Sequence, residues 1–162
     1  MKIAKFYILT CLINLFFLSI IHESGHILFC WLVGGKTLSV GYQDNIGALY
    51  VENQYPNIFT RGIGALGGSL FDCCIVLSLL FIIQITKKGK KLSLGLILTI
   101  WCESCYWILS ILMQFGDGWN TSQALGINSL FILMISLFIC ILSYIVSMKI
   151  TFKILDQLRD VV

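Results

Sequence analysis

The chain has 162 residues, of which 58% are hydrophobic and only 12% charged, and its mean hydropathy is +0.92. A soluble domain of this length has too much surface for its volume to hide that much apolar area, whereas a bilayer can solvate it. The net charge of +3 includes no basic run interleaved with aromatics, which argues against a nucleic-acid groove.

The first apolar segment runs over about 3–33 and opens on Lys2 and Lys5. It resembles a signal peptide without a small-residue cleavage site, and is expected to stay as a signal-anchor helix. Next comes a stretch of β-formers around the turn-rich Gln43–Gly47, which predicts a hairpin over about 36–54 at the outer interface. Further apolar segments cover about 58–86, 92–115 and 124–150, each long enough to span a ~30 Å hydrocarbon layer. The tail from Lys153 reads as a short polar extension of the last helix. The expected fold class is therefore an all-α membrane protein: one domain over 1–162, a four-transmembrane-helix bundle with a small interfacial β-hairpin after the first helix.

Charge supports this count. With four spans, Lys2, Lys5, the loop lysines Lys87, Lys88, Lys90 and Lys91, and Lys149, Lys153 and Arg159 share one side; they are nine of the 11 basic residues. Positive residues concentrate in the cytoplasm, so both termini are expected there and the hairpin outside, with the lysine loop facing anionic lipid. Lys36 and Arg61 read as interfacial anchors, and Trp101, Tyr106 and Trp107 as packing residues. All seven cysteines lie in apolar stretches and read as small hydrophobes rather than a disulfide framework. The Cys102–Cys105 pair has no second pair to complete a metal site.

Residues 22–26 read His-Glu-Ser-Gly-His and hold the chain's only two histidines. On a helix, positions i and i+4 share a face, so His22 and His26 can offer two imidazoles to one Zn²⁺. Glu23 beside them can take a proton from a water that the metal activates. Ionisable groups inside a span are costly and usually functional, which weighs against chance.

Two histidines leave a catalytic zinc site one protein ligand short. The candidates are Asp72, Glu103 and Asp117. At about 1.5 Å per residue from the cytoplasmic ends, His22 and His26 lie about 24 and 30 Å deep, Asp117 about 37, Asp72 about 21 and Glu103 about 17 Å. Glu103 is placed worst, and Asp72 and Asp117 both stay in reach. Asp117 sits in Gly116-Asp-Gly118, where glycines let the backbone break the helix and approach a metal. Asp72 remains as an alternative ligand, or as a carboxylate orienting a ligand histidine. Gly64, Gly67, Gly68 and Ser69 form a small-residue segment that either packs helices closely or lines a substrate cavity.

The order of HExxH helix, β-like hairpin, Gly-rich helix and late Asp-Gly resembles the site-2 protease family of intramembrane zinc metalloproteases. The resemblance covers about residues 15–125. It implies one Zn²⁺ per chain held by His22, His26 and Asp117, with Glu23 as general base. It also implies endoproteolysis of a membrane-embedded protein or peptide substrate, within or beside the bilayer. The outward-facing site expected here differs from several members of that family. Regulation would come from a membrane partner, since no sensor domain is present in the chain. Three rivals stand beside this reading. One is a membrane metalloprotease of another family with a Glu ligand, for which Glu103 would have to matter. Another is a non-catalytic membrane subunit or pseudoprotease that binds metal or a partner. The third, a metal transporter, would need polar residues at many depths.

Overall fold

The computed structural model describes residues 2–43, 48–86 and 92–159. The expected hairpin turn and the lysine loop Lys87, Lys88, Lys90 and Lys91 lie outside these. The fold is mostly helical with one two-stranded antiparallel sheet. Four helical segments are long and apolar enough to cross a membrane: Ile8–Leu32, Ile58–Thr86, Leu92–Met113 and Ser129–Phe152.

The first of these is a rod in three pieces. Helix α1 (Lys2–Phe16) runs into a π-helical turn (Phe17–Ile21) and then α2 (His22–Leu32). The His22 N–H reaches back to the Phe17 carbonyl, an i→i−5 bond. The extra residue of a π turn offsets the faces of everything downstream. In the sequence this stretch reads as one uninterrupted helix.

Strands β1 (Lys36–Gln43) and β2 (Ala48–Gln54) pair antiparallel from Lys36↔Gln54 to Gln43↔Ala48. The pairing slips between Thr37 and Ser39, so the ladder bends there. Asn53 ties the hairpin to α2: it accepts from Thr37 Oγ1 at 2.8 Å and donates to the His26 carbonyl at 3.3 Å.

Helix α3 (Ile58–Thr86) packs its glycine-rich first half on α2. A Cβ on Gly25 would come 2.7 Å from the Gly67 carbonyl oxygen and 2.8 Å from Gly68 Cα. Only glycine permits that approach of backbone to backbone. Helix α4 (Leu92–Met113) meets α1, where Gly95 lies against Ile13 and the Asn14 amide donates to the Gly95 carbonyl at 3.3 Å. The apolar core at this level is Phe17, Val76 and Leu96.

The expected spans over 92–115 and 124–150 are corrected at their facing ends. Helix α4 stops at Met113, where Gln114 (φ 58°) and Gly116 (φ 78°) both take left-handed backbone. A separate short helix follows, α5 (Gly116–Leu125), closed by Gly126 at φ 66°. Helix α6 (Ser129–Arg159) then packs along α4. Hydropathy windows cannot see this break, because it depends on left-handed backbone at Gln114 and Gly116 rather than on polarity.

The side-chain distribution is inverted relative to a soluble protein. Thr99, Ser110, Ser122, Asp72 and Glu103 are buried, while Phe81 and Phe138 are 66% and 67% exposed. The buried hydroxyls of Ser104 and Ser136 bond the carbonyl four residues back in their own helices.

Candidate metal centre

The centre lies at the end of the bundle that carries the hairpin and α5. His22 and His26 are one turn apart on α2, with ring centroids 4.8 Å apart and planes at 81°. Their Nε2 atoms approach to 3.1 Å. Asp117, in the first turn of α5, brings Oδ2 to 3.2 Å from each of those nitrogens. The three sequence-selected ligand candidates thus converge on one point.

The break before α5 aims Asp117. Phe115 is extended, and its carbonyl accepts a bond from Ser110 Oγ. Ser110 Oγ also accepts the Trp119 N–H at 3.0 Å, and the Tyr106 hydroxyl accepts the Asp117 N–H at 3.3 Å. So α4 side chains fix the orphan amides at the start of α5.

Each ring is also gripped on its far side. His26 Nδ1 lies 2.8 Å from the Gly64 carbonyl, which can only accept, so Nδ1 carries the proton and Nε2 presents a lone pair. His22 Nδ1 lies 3.0 Å from Asp72 Oδ2 and 3.2 Å from Glu103 Oε1. Ser69 Oγ donates to Glu103 Oε2 at 2.7 Å, and Trp107 Nε1 donates to Ser69 Oγ, also at 2.7 Å. Asp72 Oδ1, the remaining oxygen, has no hydrogen-bond partner among the described residues.

The donor set suits zinc. Tetrahedral zinc with N and O ligands at about 2.0–2.1 Å spaces its ligand atoms about 3.3 Å apart. The observed triangle has edges of 3.1–3.2 Å. Gly68 forms the floor: a Cβ there would lie 2.7 Å from both Nε2 atoms. His22, Asp72 and Glu103 form a second acidic cluster, but on the Nδ1 side of the ring. Glu103 therefore stands away from the point where the two Nε2 atoms meet.

A cavity of about 750 Å³ opens onto the triangle, walled by α2, β2, α3, α4 and α5. Glu23 lines it beside His22, His26 and Asp117, and so do Tyr106, Asn120 and Arg61.

Several expectations are corrected by these positions. Glu103, the worst placed by depth, touches the first histidine. Of the two readings left open for Gly64, Gly67, Gly68 and Ser69, close packing is the one seen, and from this stretch the cavity wall takes Ala65 instead. Gly64 supports His26 and carries the Tyr55 ring, Gly67 faces Phe29, Gly68 underlies both histidine rings, and Ser69 bonds Glu103. Tyr106 and Arg61 line the cavity, while Trp107 packs on Gly118 as expected and also donates to Ser69. A signal for the α4 residues was available: Glu103, Tyr106, Trp107 and Ser110 sit at i, i+3, i+4 and i+7, one helix face.

No family model, curated protein or solved structure matches the chain. The geometry must carry the functional reading.

Proposed function

We propose that this chain is a multi-pass membrane zinc endopeptidase, similar to the site-2 proteases, that hydrolyses a peptide bond in a membrane-embedded or juxtamembrane substrate. The observation that carries the reading is the triangle of His22 Nε2, His26 Nε2 and Asp117 Oδ2, opening on a cavity that Glu23 also lines. These three residues hold the ion. A zinc ion there supplies Lewis-acid polarisation and makes water a nucleophile near neutral pH.

Glu23 is not part of the triangle and is free to act as general base. It takes a proton as water attacks the scissile carbonyl carbon, then passes that proton to the leaving amine as the C–N bond breaks. Asp72, Glu103 and the Gly64 carbonyl fix the two rings so that Nε2 of each stays unprotonated and correctly turned. An extended substrate segment adds to the hairpin by strand pairing; β2 residues Leu49–Asn53 line the cavity. A helical substrate has to unwind first, because its carbonyls are already bonded.

Membrane insertion is supported by the inverted side-chain distribution and by the four long apolar helices. The lysine-rich termini and 87–91 loop favour both termini in the cytoplasm, with the site toward the outer face.

The reading is tested with detergent-purified, zinc-loaded protein and unstructured casein as a probe substrate. Wild type is expected to cleave it. Glu23→Gln is expected to keep zinc and fold but lose cleavage. Cleavage by Glu23→Gln at the wild-type rate would refute the assignment.

A further inference from the structure

The catalytic cavity holds a fixed hydrogen-bond donor that neither the ligand set nor the base accounts for. Tyr106 lines the same cavity as Glu23, His22, His26 and Asp117. Its hydroxyl oxygen accepts the Asp117 backbone N–H at 3.3 Å. That bond uses a lone pair and leaves the phenolic proton without an acceptor among the described residues. A buried or half-buried Tyr normally finds a partner for its O–H.

The position of the hydroxyl is set from three directions. The ring stands edge-on to the His22 ring, with centroids 6.3 Å apart and planes at 89°. The backbone bond to Asp117 holds the oxygen. Gly116, at φ 78°, leaves room for it: a Cβ there would lie 2.7 Å from the Tyr106 oxygen. The donor is thus carried by a helix, pinned by the backbone of a ligand residue, and spared by a glycine whose side chain would fill its place.

We propose that Tyr106 is a catalytic residue whose hydroxyl donates a hydrogen bond to the oxyanion of the tetrahedral intermediate. This rests on the peptidase reading above. In the addition step the water oxygen bonds the scissile carbon, the carbonyl π pair moves to oxygen, and Glu23 takes the water proton. Tyr106 keeps its own proton and shares it with the new oxyanion. In the collapse the C=O bond re-forms, the C–N bond breaks, and the Glu23 proton goes to the amine nitrogen. A donor aimed where charge develops, and held there before reaction, lowers the barrier without reorganising. Removing one such donor typically costs about 10²–10³ in kcat.

The test is Tyr106→Phe, which keeps the ring against His22 and removes only the hydroxyl. Casein cleavage is expected to lose about 10²–10³ in kcat, with KM changed little. Affinity for a phosphinic pseudopeptide, which imitates the tetrahedral state, is expected to fall by a similar factor. The visible spectrum of the cobalt-substituted protein is expected to match wild type, because the ligand set is intact. Wild-type kcat in Tyr106→Phe would overturn the proposal. So would a loss of kcat with unchanged phosphinate affinity, or with an altered cobalt spectrum, since Tyr106 would then only position Asp117. Wild type and Glu23→Gln run alongside. If wild type neither cleaves casein nor binds the phosphinate, the peptidase reading falls and takes this one with it. If only Tyr106→Phe behaves as wild type, this proposal falls alone.

Discussion

The two nitrogens of His22 meet opposite surroundings. Nε2 faces His26 and Asp117 at the wall of an open cavity, while Nδ1 faces two buried carboxylates, Asp72 away from the cavity and Glu103 at its edge. Both sides are acidic, yet they suit different tasks. On the open side a single carboxylate oxygen meets two imidazole nitrogens, a set that wants a cation between them. On the buried side two carboxylates crowd one ring nitrogen, an arrangement that holds a proton on Nδ1 and the ring in place. His26 repeats the division with a neutral support, the Gly64 carbonyl. The contrast teaches that the carboxylates around such a histidine are sorted by which nitrogen they face, not by nearness to the ring.

Removing a group on the open side should have the largest effect. Asp117→Ala is expected to take bound zinc from about one per chain to nearly none and to abolish cleavage. Gly68→Ala is expected to do the same without touching a ligand, because its Cβ would lie 2.7 Å from both Nε2 atoms. Metal analysis of the two purified variants, beside circular dichroism, checks both; full zinc in Gly68→Ala would mean that the floor is not where the structure puts it.

The buried side should respond less. Asp72→Ala is expected to weaken zinc by about 10–100-fold while leaving the site able to fill at high metal. Titration against a competing chelator measures this, and an Asp72→Ala protein that cannot be filled would reverse the division between the two sides. Glu103→Gln is expected to cost less still, since its amide oxygen can still accept. If Glu103→Gln lost more zinc than Asp117→Ala, the Glu-ligand rival would gain the assignment.

The smallest effect sharpens the comparison at its edge. Ser69→Ala leaves the Trp107 indole N–H and one Glu103 oxygen without their bonds, at a cost of about 1–3 kcal/mol for the buried groups. A lower melting temperature in detergent with near-normal zinc is expected. A normal melting temperature would show that this chain of bonds supports nothing.

The legible parts of the site were those set by local rules. His22 and His26 meet because i and i+4 share a helix face, and Gly116 and Gly118 marked Asp117 because a break needs residues free to leave the helix. The hairpin over 36–54 was legible from its β-formers and turn, and the four long segments from hydropathy. Glu103 was misjudged because a rise-per-residue ruler assumes straight helices that start level. The π turn at Phe17–Ile21 breaks the regular rise along the first rod. Tyr106 was passed over because an aromatic in an apolar helix suggests packing when taken singly. Its spacing from Glu103 carried the signal. The glycines of α3 allowed two readings, and only coordinates could separate the contact beneath the histidines from a cavity wall.

The most direct measurement is the metal content of detergent-purified wild type beside the His22→Ala/His26→Ala double variant, at one pH and with matched exposure to zinc. About one zinc per chain in wild type and essentially none in the double variant is the expected result. Equal zinc in the two proteins, both folded, would contradict the centre described here.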